Sequence, residues 1–374
     1  MNALKITGII ILVGITALVS LYCFIRYRAN NIADTRDLKE RIDKRVEKEL
    51  NDQKRKGIIV GVVKNGTVFI KGYGTVKEGL QEKPDSMTLF ELASIGKLFT
   101  TSALQIGISR REFGLNDPIA TYLPPEIALP NTFRATLLNL ATHTAGLPSL
   151  PKNMIEKMKD EKNPYKDISM NDLYDYLKRC DENTPVGQYE YSNFGMGLLG
   201  HILELKYGQT YEHIIQKEIG ATIGMDNTVI TRSEEQEKKL AQGYDETGQP
   251  NPVWQDTVLA GAGSFLSNAA DMTKFIKANL DVRYCAISPQ LIACHEPQLS
   301  GETGLGWHLA TGFFDDLLGI KGIIWHNGGA GGYSSYIALD KQSKSGIIIM
   351  SNSATDITDF GMKLMLLVKN ISLH

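Results

Sequence analysis

The sequence predicts an α+β fold: one antiparallel sheet assembled from both chain ends, flanked by terminal helices and carrying a mostly helical insertion. Three observations predict it. Two β-rich runs, Ile58-Ile-Val-Gly-Val-Val63 and Thr67-Val-Phe-Ile70, are joined by Lys64-Asn65-Gly66, and Asn-Gly between such runs is a strong hairpin signal. Strand signal returns only near the C-terminus, in Ile323-Ile-Trp-His326, Tyr333-Ser-Ser-Tyr-Ile-Ala-Leu339 and Gly346-Ile-Ile-Ile-Met350. Between them, about residues 105–260 read as helices and Pro-punctuated loops.

Taken in order, the chain opens with Ile6 to Ile25, twenty residues without a charge. A helix of that length spans about 30 Å, the thickness of a bilayer core. Arg26-Tyr27-Arg28 follows instead of a small-residue cleavage site, so residues 1–29 are expected to be an uncleaved transmembrane anchor, not a signal peptide. Lys5 and the Arg pair nearly balance the positive-inside rule. An extracytoplasmic catalytic domain is expected on functional grounds alone. Leu38, Ile42, Val46 and Leu50 recur every four residues in a charged stretch, which predicts a helix lying on the domain. Asn171-Asp-Leu-Tyr-Asp-Tyr-Leu-Lys178 predicts a helix within the insertion, and Asp356 to Asn370 a closing helix. The expected units are the anchor 1–29, an α/β unit of 30–104 plus 261–374, and a helical unit of 105–260.

Composition sets few limits. The 374 residues are 43% hydrophobic and 22% charged, and the net charge of −2 gives no sign of a nucleic-acid partner. Cys23, Cys180, Cys285 and Cys294 include no Cys-x-x-Cys pair, so neither a zinc site nor a disulfide framework is read; a Cys285–Cys294 bridge stays open. No cofactor or metal is expected.

The most informative stretch is Phe90-Glu-Leu-Ala-Ser-Ile-Gly-Lys97, a loop running into an apolar helix. Ser94 and Lys97 are three apart and share a helix face, so the amine sits beside the hydroxyl. A serine needs a neighbouring base to become a nucleophile. A second such spacing, Ser149-Leu-Pro-Lys152, lies between prolines where a helix is disfavoured. Tyr191-Ser192-Asn193 is the only Tyr-x-Asn among fifteen tyrosines. Near Lys97 its phenol would ionise more readily, because a cation favours the phenolate, and it would then serve as general base and acid. Asn193 would donate to a substrate carbonyl. His326-Asn327-Gly328-Gly329 closes a strand with glycines that let a substrate backbone approach.

In this order, Ser-x-x-Lys, Tyr-x-Asn and His-x-Gly resemble the serine β-lactamase and penicillin-binding protein family, in its class C-like branch. Leu138-Asn-Leu-Ala-Thr-His-Thr-Ala-Gly-Leu-Pro148, Gly261-Ala-Gly-Ser-Phe-Leu-Ser-Asn-Ala-Ala-Asp-Met272 and Leu305-Gly-Trp307 are similar to further stretches of it. The resemblance covers roughly residues 35–374. It implies the β-lactamase/transpeptidase-like fold, with Ser94 the acylated nucleophile, Lys97 its activating partner, and Tyr191 the general base and acid. It also implies that Asn193 contacts substrate and lysine, and that the N–H groups of Ser94 and Gly329 form the oxyanion hole. His326 and Gly328 would lie along the substrate, and His143 would be scaffold.

One departure bears on substrate. The best-known family members carry Lys-Thr-Gly where this chain has His326-Asn327-Gly328, and a largely neutral histidine grips a carboxylate less well. Relatives with His-x-Gly include esterases and D-amino-acid peptidases. The expected function is a β-lactamase-like serine hydrolase acting through a Ser94 acyl-enzyme on a β-lactam or D-amino-acid peptide amide. The alternatives are a D-alanyl-D-alanine carboxypeptidase or endopeptidase, a carboxylesterase, and a non-enzymatic β-lactam or muropeptide sensor.

Overall fold

The structure, a computed structural model, describes residues 38–181, 184–256, 258–299 and 301–371. The expected anchor and Cys23 lie outside the described residues. Among the described residues, no helix is long and apolar enough to cross a membrane.

The first element is helix α1 (Leu38–Asp52), which buries Leu38, Ile42 and Val46, three of the four residues that predicted it. Strands β1 (Gly57–Lys64) and β2 (Thr67–Gly74) form the hairpin. Its turn has positive φ at both Asn65 (49°) and Gly66 (81°), the geometry that matches strand twist and that Asn-Gly tolerates. A 3₁₀ turn, Ala93–Gly96, leads into α2 (Lys97–Ser109). The insertion contributes α3 (Met170–Arg179) and α4 (Asn193–Tyr207), and α5 (Ala269–Leu280) returns the chain to the sheet. The C-terminal part adds β3 (His308–Leu309), β4 (Ile323–Gly329), β5 (Ser334–Asp340) and β6 (Ser345–Ser351), then α6 (Thr358–Asn370).

Among the described residues these strands form one six-stranded sheet in the order β2-β1-β6-β5-β4-β3. Every neighbouring pair is antiparallel. β1 from the N-terminal part sits between β2 and C-terminal β6, so the two chain ends do build a single sheet. β3 was not expected. With two residues it carries no alternation for sequence reading to find.

Helices cover both faces, which is why β1 is buried along its whole length and reads as a continuous apolar run instead of alternating. On one face Ile58, Val60, Val62, Ile347 and Ile349 pack with Leu38, Ile42 and Val46 of α1 and Leu364 and Val368 of α6. On the other, Ile59, Val63, Ile348 and Met350 join the larger core with Phe275 and Ile276 of α5 and the helical region. Gly61 is required here: a Cβ would lie 2.7 Å from Ile348 and 2.9 Å from Thr273 of α5. Cys180, Cys285 and Cys294 are all free thiols, which answers the open question of a Cys285–Cys294 bridge.

Candidate active site

Ser94 is half-buried in a run whose neighbours Leu92, Ala93, Ile95 and Gly96 are buried. Ala93 before it holds φ at 48°, a left-handed conformation that costs an alanine energy and that clusters at functional turns. The turn carries Ser94 to the entry of α2, three residues before Lys97, the first residue of that helix.

Lys97 is fully buried. Its Nζ donates to Ser94 Oγ at 2.9 Å and to the Ala262 carbonyl at 2.6 Å. Burial lowers its pKa to about 7, opposed by the nearby charge of Asp256, because desolvation penalises the ammonium. The Ala262 carbonyl reaches the lysine only because glycines flank it. Gly263 has φ of 152°, and a Cβ there would lie 2.4 Å from the Ala93 carbonyl oxygen. A side chain at Gly261 would meet the Met196 carbonyl at 2.6 Å and Gly200 Cα at 2.9 Å, so α4 packs against this loop backbone to backbone.

Tyr191 precedes α4, whose N-cap, Ser192, accepts from Gly195 N–H at 2.8 Å. The lysine ammonium lies 4.9 Å from the Tyr191 ring centroid. The expected lowering of the phenol pKa is not found. Burial pushes it up, and the hydrogen bond with the Ser94 side chain only partly offsets that. The physical reason is that a lysine titrating near 7 offers a weak positive field, whereas desolvation of the phenolate is large. Tyr191 is therefore a protonated phenol hydrogen-bonded to the nucleophile. Asn193, the first residue of α4, lines the cleft beside Ser94. It is not among the recorded hydrogen-bond partners of Lys97, which are Ser94 and Ala262.

His326, expected along the substrate, is held inside the protein. It is 1% exposed, and its Nδ1 donates to the Asn327 carbonyl at 2.6 Å. That fixes the proton on Nδ1 and leaves Nε2 as a bare acceptor, buried and without a protein partner among the described residues. Its pKa falls well below the usual histidine value through burial, then repulsion from His308 and Lys97. A buried neutral ring has no charge to offer an anion. Gly328 is packed, since a Cβ would lie 2.2 Å from the Leu92 carbonyl, whereas Gly329 is open and lines the cleft.

His143 behaves as scaffold in its contacts. Its Nδ1 accepts from Ser192 N–H at 3.1 Å, and its ring lies 4.5 Å from that of Tyr191. Burial, then the charge of Lys97, takes its pKa to about 3. His308 stacks on Trp325 at 4.6 Å and lies 5.0 Å from His326. Three neutral imidazoles thus pack behind Lys97 and Tyr191.

Sequence reading missed the two acids of the cleft, which is lined by Glu91, Tyr165, Asn193, Trp254, Asp256 and Gly329 among others. Burial raises Glu91 to about 8 and Asp256 to about 7. Asp256 accepts from Leu259 N–H at 2.9 Å and is coupled to Lys97. Glu91 lies within the Ser94 stretch, three residues before the serine. Asp256 sits in no recognisable motif, five residues before Gly261. The cleft itself encloses only about 50 Å³. A larger cavity of about 650 Å³ lies elsewhere, walled by Val76, Arg232, Pro250 and Tyr333, and holds none of the reactive residues.

Comparison with known proteins gives a consistent picture. The family model described as Beta-lactamase matches residues 42–368. A Pseudomonas fluorescens protein named Beta-lactamase is 26% identical over 346 residues, covering 84% of this chain and 94% of that protein. The D-alanyl-D-alanine-carboxypeptidase/endopeptidase AmpH of Escherichia coli (strain K12) is 26% identical over 313 residues, covering 79% and 78%. Among solved structures, a β-lactamase/D-alanine carboxypeptidase from Pseudomonas syringae aligns with a TM-score of 0.76 at 21% identity, covering 89% of this chain and 98% of the other. A class C β-lactamase aligns with a TM-score of 0.77 at 23% identity, covering 89% and 95%.

Proposed function

The chain belongs to the Beta-lactamase family, and from that premise we propose that it hydrolyses an amide of the β-lactam or D-amino-acid peptide type through an acyl-enzyme on Ser94. The observation that carries this is the buried Lys97, 2.9 Å from Ser94 Oγ with its pKa brought down to about 7. At neutral pH about half of such lysines are free amines, able to take the serine proton. Ser94 Oγ then bonds the substrate carbonyl carbon. The N–H groups of Ser94 and Gly329, both of which line the cleft, hold the developing oxyanion. Tyr191 passes a proton to the leaving nitrogen, receiving its replacement from the Ser94–Lys97 side as the C–N bond breaks. Water then hydrolyses the Ser94 ester.

The high Tyr191 pKa makes it a relay in this scheme. Its phenol hands on a proton while accepting another, with no stable phenolate. Asn193 lines the cleft where it can donate to a substrate carbonyl. His326 and His143 hold the walls: their fixed tautomers orient the Asn327 and Ser192 backbones beside the reacting atoms.

A second reading is favoured by one observation. Among the described residues that line the Ser94 cleft there is no cation, whereas two carboxyl groups, Glu91 and Asp256, line it. A substrate without a carboxylate at that point, an ester or a D-amino amide, suits these walls better than one gripped by its carboxylate. Steady-state assays with nitrocefin, a D-Ala-D-Ala peptide and a p-nitrophenyl ester separate the readings. Turnover of either of the first two that disappears in Ser94→Ala supports the amide reading. Turnover of the ester alone supports the second. Unchanged turnover of all three in Ser94→Ala would sink both.

We also propose that residues 6–25 anchor the chain in a membrane with the catalytic domain on the extracytoplasmic side. The twenty uncharged residues support the anchor; the extracytoplasmic side rests on functional grounds alone, since Arg26 and Arg28 on the domain side of the run do not favour it.

A further inference from the structure

The Ser94 cleft lies at the Gly329 end of β4. The other end of the sheet carries features the reaction does not use. There β1 finishes at Lys64, opposite Ser345 of β6; Ser345 pairs with Asp340 of β5, and Asp340 with Ile323, the first residue of β4. The short helical turn Phe313–Leu317 ahead of β4 at this end, with Leu318 after it, holds Phe313, Phe314 and Leu318 exposed by 79%, 73% and 60%. The two rings touch each other edge-on at 5.8 Å and otherwise face water. The turn that bears them is fastened to the fold. Ile320 packs against the cluster beneath α1 and α6, and the N–H groups of Ile320 and Lys321 donate to the Asp315 carbonyl at 2.9 and 3.1 Å. An exposed aromatic pair on an anchored turn marks a contact surface.

The chain enters the domain at the same end. α1 runs antiparallel to α6: Arg55, past its C-terminus, donates to the Thr355 and Asp356 carbonyls just before α6, and Arg45 donates to that of Lys363 midway along. Leu38 therefore lies by the C-terminal end of α6, where Lys369 Nζ donates to the Lys321 carbonyl at the root of the aromatic turn. Only twelve residues, 26–37, separate the end of the uncharged run 6–25 from Leu38. Even fully extended, that connection spans about 40 Å. Cations share this end: Lys321, Lys344 and Arg283 are all exposed, Arg283 beside exposed Asp281 at 3.7 Å. Tyr284, exposed by 40%, lines one cavity with Asn65 and Gly66 of the hairpin turn, and Val282 nearby in sequence is exposed by 53%.

We propose that this end of the domain rests on a phospholipid bilayer, with Phe313, Phe314 and Leu318 inserted at its interface. The proposal rests on the reading that residues 6–25 are a membrane anchor. Aromatic and aliphatic tips flanked by Lys and Arg are the chemistry such an interface takes up. Asp315 and Asp316 share the turn: Asp315 is turned back, its carboxylate accepting Gly312 N–H at 2.8 Å, and Asp316 is exposed. With this end seated, the catalytic cleft stands off the bilayer by the length of β4, about 20 Å at 3.3 Å per residue, and opens toward a substrate in the space beyond.

The test uses the full chain reconstituted into phosphatidylcholine–phosphatidylglycerol vesicles, with and without brominated acyl chains. One variant carries Phe314→Trp. A control carries Leu80→Trp, a 48% exposed site on the loop beyond Gly74 at the opposite end of the β1–β2 hairpin. Trp254, Trp307 and Trp325 contribute equally to both and cancel in the comparison. Brominated lipid is expected to quench the added Phe314→Trp emission roughly twofold or more, since interfacial side chains sit about 5–10 Å into the headgroup–acyl boundary, and to leave Leu80→Trp unchanged. If the parent chain floats with the vesicles but Phe314→Trp is quenched no more than Leu80→Trp, the surface is not seated on lipid and the proposal is overturned. A second copy of the chain covering the patch would give that result. A parent chain that stays out of the vesicles overturns the anchor reading and this proposal together. In detergent both variants should turn over, at the parent rate, whichever of nitrocefin, a D-Ala-D-Ala peptide or a p-nitrophenyl ester the parent hydrolyses, and should match its circular dichroism spectrum, which confirms that they fold.

Discussion

Lowering the pH from 8 to 5 should slow acylation of Ser94 about a hundredfold, because the neutral fraction of a group titrating near 7 falls tenfold per unit below that point. The perturbation acts on Lys97, whose amine is brought from an ordinary 10.5 to about 7 by burial. At pH 7 an ordinary lysine would be a free amine in roughly three molecules per ten thousand, whereas this one is neutral in about half, a gain of about 1,500-fold in active base. The assay is kcat/KM for nitrocefin or a p-nitrophenyl ester between pH 5 and 10, which reports ionisations of the free enzyme. The expected curve rises with unit slope, bends near 7 and stays level to pH 9, with no fall from Tyr191 because its phenol is held above its ordinary value. Asp256 titrates in the same range and stabilises the ammonium, so the wild-type bend belongs to the coupled pair. Asp256→Asn keeps an oxygen for the Leu259 N–H and removes the charge; it should leave a single inflection at lower pH. A rate that climbs steadily past pH 9, or that is flat from 5 to 8, would refute Lys97 as the base. An inflection that moves up in Asp256→Asn would refute the coupling.

Four further outcomes follow from the same geometry. Tyr191→Phe should lose about 10²- to 10⁴-fold in kcat/KM, the usual contribution of general acid–base catalysis, with an unchanged circular dichroism spectrum; a near-wild-type rate removes its relay role. Lys97→Met should abolish turnover and raise the melting temperature at pH 6. The folded pKa of Lys97 lies below the unfolded one, so the unfolded chain binds more protons between about 7 and 10.5 and stability rises with pH there, while below 7 the full cost remains, at most about 5 kcal/mol; an unchanged or lower melting temperature contradicts this. His326→Lys should lower the melting temperature, because a second ammonium would be buried beside Lys97 with a cost of several kcal/mol, and penicillin acylation should not improve. Gly263→Ala should reduce both stability and turnover at least tenfold through the clash with the Ala93 carbonyl, measured by thermal melts and ester hydrolysis.

The sheet was legible because its strands carry local signals. Asn65-Gly66 names its own turn, and the apolar runs at 58–63 and 346–350 are continuous because helices cover both faces. Ser94 and Lys97 were legible because three residues on a helix fix a contact that needs nothing from the rest of the fold. What decides their chemistry was not legible. The pKa of Lys97 depends on Ala262, Gly263 and Asp256, more than 150 residues away in sequence, closing over the amine. Tyr191 was expected to be acidified by a nearby cation, but the burial that weakens that cation also penalises the phenolate. His326 was read from its place in a motif as a surface along the substrate. The third dimension puts its ring under the cleft wall, where a lone residue letter gives no sign of burial.

The central claim is that Ser94 becomes covalently acylated. Intact-protein and peptide mass spectrometry after brief exposure to penicillin, to a D-Ala-D-Ala peptide and to a p-nitrophenyl ester tests it most directly. The account predicts an adduct of the acyl mass on the peptide containing Ser94 with at least one of the three, formed faster at pH 8 than at pH 5 and absent from Ser94→Ala. No adduct with any of them while turnover proceeds, or an adduct that persists in Ser94→Ala, would contradict it.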